Sequence, residues 1–209
     1  TATIKADTAA VLNTTLTDGT TNAYKLTVTG ASAKATDLDG LNTKTSVAVD
    51  ASAIKNIDGT IPAGAVEVNK VVTAANAGQI TGLGNETVNL TGATDANATL
   101  VKAINDYTTG VITLDTVNVS AGNFSLSQLG DLKGITGLNT LNLGAGDTNI
   151  TLSLKDLLAS NDDTNSFAFK IDNGAGAVGN TVKFADTIGW TADTTNSATG
   201  VTLYTNDVT

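Results

Sequence analysis

Three short phrases recur at equal steps along the middle of the chain: Asn97-Ala-Thr-Leu100, Asn123-Phe-Ser-Leu126 and Asn149-Ile-Thr-Leu152. Successive copies are 26 residues apart, and each is followed by an apolar run with helix-like spacing. In a chain so rich in Thr and Asn, one such match would be chance, but two equal steps indicate an internal repeat. Repeats of this length are typical of solenoids, in which each coil buries its apolar face against its neighbours.

Short stretches that alternate apolar and polar residues precede these phrases and recur outside them. Such a period of two predicts half-buried strands. The stretches are Leu26–Val28, Val47–Val49, Val88–Leu90, Ile112–Leu114, Val117–Val119, Leu141–Leu143 and Phe167–Ile171. We expect strands of successive repeats to pair in parallel and to bury one continuous core that includes Val47, Val88, Leu90, Ile112, Leu141 and Leu143.

Helical spacing appears in four segments between the strands. Ala65–Ala75 carries a run of valines, and Leu100–Ile104 follows Asp95 and Asn97, either of which is a candidate N-cap. Ser125–Leu132 and Leu152–Leu158 are each long enough for about two turns.

The predicted fold class is therefore mainly β, with solenoid-like repeats that contain short helices, followed by a small antiparallel β module. Residues 1–30 are predicted to form either an entry cap or the end of a preceding repeat, and residues 31–160 to form the repeats of strand and short helix. From residue 161 aromatic residues and Asn-Gly turns become frequent, so residues 161–209 are predicted to form the compact β module.

The composition argues against several classes of function. The 209 residues include no Cys, Met or His, and all eleven basic residues are Lys. Without imidazole or thiolate, the usual zinc, haem and iron–sulfur sites and the usual catalytic bases are missing. A formal net charge of −9 and the lack of Arg argue against nucleic acid as a partner. No apolar stretch is long enough to span a bilayer, so no membrane insertion is expected.

Two pairs of carboxylates are candidate catalytic groups. Asp37 with Asp39 and Asp162 with Asp163 are close in sequence, and glycoside hydrolysis needs two acids that face each other across a sugar. Asp-rich turns produce such pairs by chance, so we expect no enzymatic activity and no catalytic residues.

Two longer stretches resemble known proteins. Ile80-Thr-Gly-Leu-Gly-Asn-Glu-Thr-Val-Asn-Leu-Thr-Gly92 and Ala98-Thr-Leu-Val-Lys-Ala-Ile-Asn-Asp-Tyr-Thr-Thr-Gly-Val-Ile112 look like repeats of very large bacterial cell-surface proteins, cyanobacterial ones among them. The stretch Asn149–Leu158, with the later Gly189-Trp190 and Val201–Thr205, is similar to a module of giant adhesins exported by type I secretion. The resemblance implies an extracellular, cell-surface protein, such as a surface-layer (S-layer) subunit or an adhesin. Thr1 is expected to begin a segment of a longer chain.

Calcium is the one cofactor that the sequence suggests. The acidic residues are 18 Asp and 2 Glu, many of them in turns with Gly and Asn, and oxygen ligands in such turns suit calcium. The best candidate ligands are Asp147, Asp162 and Asp163. Gly144-Ala-Gly146-Asp147 supplies only half of a glycine-rich calcium-binding nonapeptide, and capping of helices and turns is the preferred explanation for these Asp residues.

Two functions from different classes remain. The first is a non-enzymatic, extracellular structural protein, a repeat segment of a self-assembling surface layer, sheath or filament whose partners are like subunits. The alternative is an adhesin module that binds a surface glycan or a partner cell through loops or the region of Trp190.

Overall fold

The structure, a computed structural model, describes residues 1–17, 22–160, 169–173, 179–185, 190–193 and 203–206; for residues 173, 190–193 and 203–206 it describes the backbone alone. Five α-helices lie in these ranges: α1 (Ala9–Thr15), α2 (Ala35–Lys44), α3 (Gly64–Asn76), α4 (Ala98–Tyr107) and α5 (Leu154–Ala159). Two 3₁₀ helices, Leu126–Leu129 and Leu132–Gly134, lie between α4 and α5.

The strands are short and numerous. In the first half of the chain they are β1 (Ala2–Thr3), β2 (Asp7–Thr8), β3 (Tyr24–Lys25), β4 (Val28–Thr29), β5 (Ser32–Lys34), β6 (Val49–Asp50), β7 (Asn56–Asp58), β8 (Ile80–Thr81) and β9 (Thr87–Asn89). They continue as β10 (Ile112–Thr113), β11 (Thr116–Val119), β12 (Gly122–Ser125), β13 (Ile135–Thr136), β14 (Thr140–Leu143), β15 (Thr148–Leu152), β16 (Lys170–Asn173), β17 (Thr181–Phe184), β18 (Trp190–Asp193) and β19 (Leu203–Asn206).

Parallel pairing dominates the sheets that these strands form. The largest has the order β13-β10-β9-β7-β5, and two three-stranded sheets have the orders β11-β14-β16 and β12-β15-β17. All of these pairs are parallel, as are the pairs β1-β3, β2-β4 and β6-β8. Parallel partners need a long connection, and here the helices supply much of it.

The helices form a row beside the sheets because each has one apolar face. Helix α1 packs against α2, α2 against α3, α3 against α4, and α4 against the 3₁₀ helix Leu126–Leu129, which also contacts α5. The buried residues follow helical spacing, as with Val68, Val71 and Val72 of α3 and Val101 and Ile104 of α4. One cluster of buried apolar residues runs from Ala9 to Leu157.

The predicted fold class is wrong. Helix and strand make up nearly equal shares of the structure, 32% and 31%, so the fold is mixed α/β with small, mostly parallel sheets rather than a mainly β solenoid. The excess helix has a clear source. Neither Ala9–Thr15 nor Ala35–Lys44 was expected to be helical, and both bury Ala and Leu residues against the sheets.

The predicted antiparallel module is also wrong. Strands β16 and β17 fall in its range, yet they pair in parallel with β14 and β15. Ile171 lies opposite Leu141 in the register, so the same face of this strand turns toward the core. In the described ranges, antiparallel pairing occurs only between β18 and β19.

Two of the predicted helices and most of the predicted core residues are confirmed. Ala65–Ala75 lies within α3, Leu100–Ile104 lies within α4, and Asn97 is the N-cap of α4, accepting a hydrogen bond from the Leu100 N–H. Five of the six predicted core residues are buried in the one cluster. Val47 is the exception: it is partly exposed and Val49 takes its place in the core.

Candidate interaction surface

Polar side chains run in rows along the outer faces of the parallel strands. Asn142 donates to Asn118 across the β11-β14 pair at 2.8 Å, and Asn149 donates to Asn123 across the β12-β15 pair at 3.2 Å. These contacts join residues that are directly opposite in the register. Amides stacked in this way satisfy one another and leave a polar surface that needs no ligand.

The three Asn residues of the recurring phrase do not occupy equivalent sites. Asn123 lies opposite Asn149, whereas Asn97 forms its isolated parallel bridge with Asn118. Asn97 caps a helix, while Asn123 and Asn149 lie within strands. The recurring phrase therefore begins a helix in its first copy and contributes a pair of stacked asparagines on the outer strand faces in the other two.

Only one of the predicted calcium ligands, Asp147, lies in the described part of the chain; Asp162 and Asp163 lie outside it. Asp147 is exposed, and its backbone carbonyl accepts a hydrogen bond from the Gly122 N–H at 2.9 Å. Its carboxylate lies against Gly179, where an added Cβ would come within 2.7 Å of Oδ1. Within the described ranges, no three Asp, Glu, His or Cys side chains come together as a metal site. The calcium site stays a prediction.

The carboxylates considered for catalysis point to different neighbours. Asp37 accepts a hydrogen bond from Asn13 of α1 at 3.1 Å, whereas Asp39 lies 3.9 Å from the Lys70 ammonium of α3. Burial raises the pKa of Asp39, an effect that Lys70 partly offsets and Glu67 reinforces. The two groups link three neighbouring helices and do not face each other across a cleft.

Two shallow grooves open on the surface of the described residues. The larger, about 340 Å³, lies between α4 and the 3₁₀ helix Leu126–Leu129, and its charged groups, Lys102 and Asp106, are bonded to each other at 2.6 Å. The smaller, about 230 Å³, lies beside β5 at the start of α1. The larger groove is lined by one carboxylate, Asp106, and the smaller by two, Asp37 and Asp58.

Two buried threonines tie segments together in the same way, and sequence reasoning missed both. Thr45 follows α2 and Thr108 follows α4. The Thr45 hydroxyl donates to the Tyr24 carbonyl at 2.7 Å and accepts from the Val47 N–H, and the Thr108 hydroxyl donates to the Glu86 carbonyl at 2.6 Å and accepts from the Gly110 N–H. A Thr after a helix was the only available signal, and it is too common to be specific.

Glu86 is the most unusual buried group of the described chain. Its side chain is fully buried; one carboxylate oxygen accepts from the Gly84 N–H at 2.7 Å, and the other oxygen has no protein partner. A buried carboxylate normally needs an ion pair or several donors. Its neighbour Tyr107 has a raised pKa, chiefly because it is half-buried and also because of the charge of Glu86.

The two ends of the parallel sheets expose strands with a neighbour on one side only. In the described chain, β1 and β2 pair only with β3 and β4 at the first end, and β16 and β17 pair only with β14 and β15 at the last. Backbone donors and acceptors on an open edge attract another strand. These ends are therefore the best candidate interaction surfaces.

Comparison with protein-family models, with curated proteins and with solved structures finds no match for this chain. None of the helices in the described residues is both long enough and apolar enough to cross a membrane. The alternative adhesin site at Trp190 involves a side chain that is not among those described.

Proposed function

We propose that this chain is a structural, non-enzymatic segment of an extracellular surface layer, sheath or filament, and that it associates with further copies of itself. The observation that carries the proposal is that, among the described strands, β1, β2, β16 and β17 each pair on one side only, because strands with a free edge are suited to strand addition. The resemblance of Ile80–Gly92 and Ala98–Ile112 to repeats of bacterial cell-surface proteins supports the extracellular location.

The way the polar groups are used also supports a structural role. Asp95 accepts hydrogen bonds from the Ala65 and Val66 N–H groups, and Asn105 donates to the carbonyls of Leu129 and Asp131. The hydrogen bonds of these side chains therefore hold adjacent segments of the fold together. A group committed in this way is poorly placed to take part in catalysis.

Calcium is proposed as a second factor in association. A net charge of −9 makes copies of the chain repel each other, and divalent cations bridge acidic surfaces. Asp147, Asp162 and Asp163 are the proposed ligands.

Light scattering after size-exclusion chromatography tests the proposal. We expect the mass to rise with protein concentration, and to rise further in millimolar calcium. A strictly monomeric chain at all concentrations, with and without calcium, would contradict self-association. If Trp190 fluorescence of that monomer were also quenched by a surface glycan, the adhesin would be the better function.

Calcium binding has a separate test. Calcium is expected to raise the melting temperature of the wild-type chain and to raise that of a triple variant, with Asn at 147, 162 and 163, much less. An unchanged melting temperature of the wild-type chain would contradict a calcium site and leave self-association to be judged by its own measurement.

A further inference from the structure

Helices α1 and α2 bring a lysine, an asparagine and an aspartate into contact at one point of their interface. The Asn13 side-chain amide of α1 donates to Asp37 Oδ1 of α2 at 3.1 Å, and the Lys44 ammonium of α2 donates to the Asn13 main-chain carbonyl. All three residues are partly buried. Asn13 is therefore held between a carboxylate and an amine that both belong to the neighbouring helix.

Gly40 fixes where the Asn13 carboxamide lies. A Cβ on Gly40 would come within 2.5 Å of Asn13 Oδ1 and 2.9 Å of its Cγ, so the carboxamide packs directly on the backbone of α2. Gly40 lies between Asp37 and Lys44 along α2, and the three residues fall within about 60° around the helix. Side chains lean toward the N-terminus of their helix, so that of Lys44 runs back toward Gly40 and Asn13.

The Lys44 nitrogen is within reach of the Asn13 side-chain carbon. It already contacts the main-chain carbonyl oxygen of Asn13. In any asparagine this oxygen and Cγ are each two bonds from Cα, so they lie only about 3–5 Å apart. Because lysine carries its amine on a flexible four-carbon stem, a modest rotation moves Nζ from the oxygen to Cγ.

We propose that Lys44 and Asn13 form an intramolecular isopeptide bond that links α1 to α2, with Asp37 as the proton carrier. Asp37 takes a proton from the Lys44 ammonium, and the free amine attacks Asn13 Cγ. The Cγ–Nζ bond forms, and the Cγ–Nδ2 bond breaks as Asp37 passes the proton to Nδ2, which leaves as ammonia. Nζ then loses its second proton through Asp37 to water, so the reaction needs no oxidant and no further reactant.

The contacts of the fold match these roles. Asp37 is bonded to Nδ2, the atom that must gain a proton in order to leave. Holding the amine and the carboxamide at one interface gives them a high effective concentration. The reaction occurs once in each chain, so it modifies the protein and gives it no enzymatic activity. The inference does not depend on the proposed self-association.

Intact mass spectrometry of the full chain tests the proposal. After incubation at mildly alkaline pH, which raises the fraction of neutral amine, the wild type should be lighter by about 17 Da, the mass of one ammonia molecule. Trypsin should then release residues 6–25 joined to residues 35–55, because it does not cleave after a modified Lys44. A wild type that keeps its full mass would overturn the proposal.

The digest also separates the isopeptide bond from a second reaction that releases ammonia. An asparagine can close a succinimide ring with its own backbone, which leaves residues 6–25 as an unlinked peptide. Hydroxylamine opens a succinimide but leaves an isopeptide bond intact. If the loss of mass is confined to the unlinked peptide, the isopeptide bond is wrong.

Substitutions assign the roles. Lys44→Arg keeps the positive charge but has no amine, and Asn13→Ala has no carboxamide, so both should keep their full mass. Asp37→Asn keeps an oxygen that accepts the Asn13 hydrogen bond but carries no proton, so the bond should form at least about tenfold more slowly. Lys102→Arg is the matched control and should lose ammonia like the wild type. Far-UV circular dichroism shows which variants fold, and Lys44→Gln replaces Lys44→Arg if that variant does not.

Gly40→Ala tests the position of the carboxamide. The added methyl group displaces the Asn13 carboxamide, which rotates aside without moving the backbone, so the helices should remain while the bond forms more slowly. Equal rates of ammonia loss in the wild type, Gly40→Ala and Asp37→Asn, all folded, would overturn the roles assigned to this interface.

Discussion

Two regions of the core differ in the lengths of their helices and strands. Between residues 32 and 107 the helices are long, 10 residues in α2, 13 in α3 and 10 in α4, and the strands have two or three residues. Between residues 116 and 159 four of the five strands lengthen to four or five residues, β13 keeping two, and the helical segments shrink to two 3₁₀ helices and the six-residue α5. We call these regions the helical half and the strand half.

The difference shows where polar cross-links form in such a fold. In the helical half, side chains tie a helix to a neighbouring segment: Asp95 bonds the start of α3, and Asp37 of α2 accepts a hydrogen bond from Asn13 of α1. In the strand half, amides tie equivalent strand residues to each other, as in Asn118–Asn142 and Asn123–Asn149. A side chain near a helix end can satisfy two backbone donors, whereas a ladder side chain satisfies mainly its counterpart, so substitutions in the helical half are expected to cost more.

The substitutions with the largest expected effect on stability test whether the helical half and the strand half share one core. Leu38 of α2 and Leu141 of β14 are both fully buried. Leu38→Ala and Leu141→Ala should each lower the free energy of unfolding by about 2–5 kcal/mol. Because the buried cluster is continuous, urea denaturation followed by circular dichroism should keep a single transition in both variants.

Two separate transitions in either variant would show that the halves unfold independently. Val111→Ala, at an exposed residue, serves as the control and should change the free energy of unfolding by less than about 0.5 kcal/mol.

The second largest effect on stability is expected where Gly110, just after the helical half, closely approaches the backbone of Glu86. A Cβ on Gly110 would lie 2.1 Å from the Glu86 carbonyl oxygen, which already accepts a hydrogen bond from Thr108. Gly110→Ala should therefore lower the free energy of unfolding by about 1–3 kcal/mol. Gly144 in the strand half is the matched control, because a Cβ there would make only ordinary contact, at 3.4 Å, with Val119. Equal melting temperatures for the two variants would contradict the tight packing of Glu86 and Gly110.

The third largest effect on stability is expected at the N-terminus of α3, which is capped by a residue of a neighbouring segment. The N-cap residue of α3, Ala63, makes no side-chain cap, and the Asp95 carboxylate instead bonds the Ala65 and Val66 N–H groups at 3.0 and 2.7 Å. Asp95→Ala should lower the free energy of unfolding by about 1–2 kcal/mol. Asp95→Asn keeps one acceptor and should lose less. A thermal melt of Asp95→Ala that matches the wild type would show that α3 does not depend on this contact.

Substitutions in the stacked asparagines of the strand half should destabilise the fold less. Asn142 is exposed and donates to Asn118 at 2.8 Å. Asn142→Ala should cost about 0.2–1 kcal/mol, the range of a cross-strand pair. If urea denaturation shows that Asn142→Ala costs as much as Asp95→Ala, the proposed difference between the halves is wrong.

Local pattern was enough to predict part of this fold. The valine run of α3 and the Asn97 cap of α4 are short-range signals, and the structure has a helix where each of them predicts one. Helix α2 was missed because its polar and small residues hide a buried face of Ala35, Leu38 and Leu41, and the mainly β fold class was wrong for the same reason. The antiparallel module was wrong because Asn-Gly turns do not show which distant strand is the partner, and β16 and β17 pair with earlier strands.

The candidate surface was only partly visible in the sequence. Open strand ends follow from any stack of parallel strands, so association through them was expected in general terms. Which apolar residues of the last strands are half-exposed depends on the register, for example Val182 opposite Ile150, which local pattern does not give. Asp95 shows the same limit: the sequence placed it near the start of α4, but only the three-dimensional packing brings it to α3.

The smallest expected effect concerns the charge that links α2 and α3. Burial raises the pKa of Asp39, so the protonated form is favoured in the folded state, although Lys70 lies 3.9 Å away. A carboxyl group whose pKa is higher in the folded than in the unfolded chain contributes stability at low pH, and this contribution is lost as the pH rises through the folded pKa. Asp39→Asn should therefore gain stability relative to the wild type as the pH rises from about 3 through and above 3.8, the ordinary value for this group. Urea denaturation of both chains between pH 3 and 6 measures the difference. A difference that does not change with pH would show that Lys70 fully offsets the burial of Asp39. Asp37→Asn, on the same helix, is the control for the change of net charge.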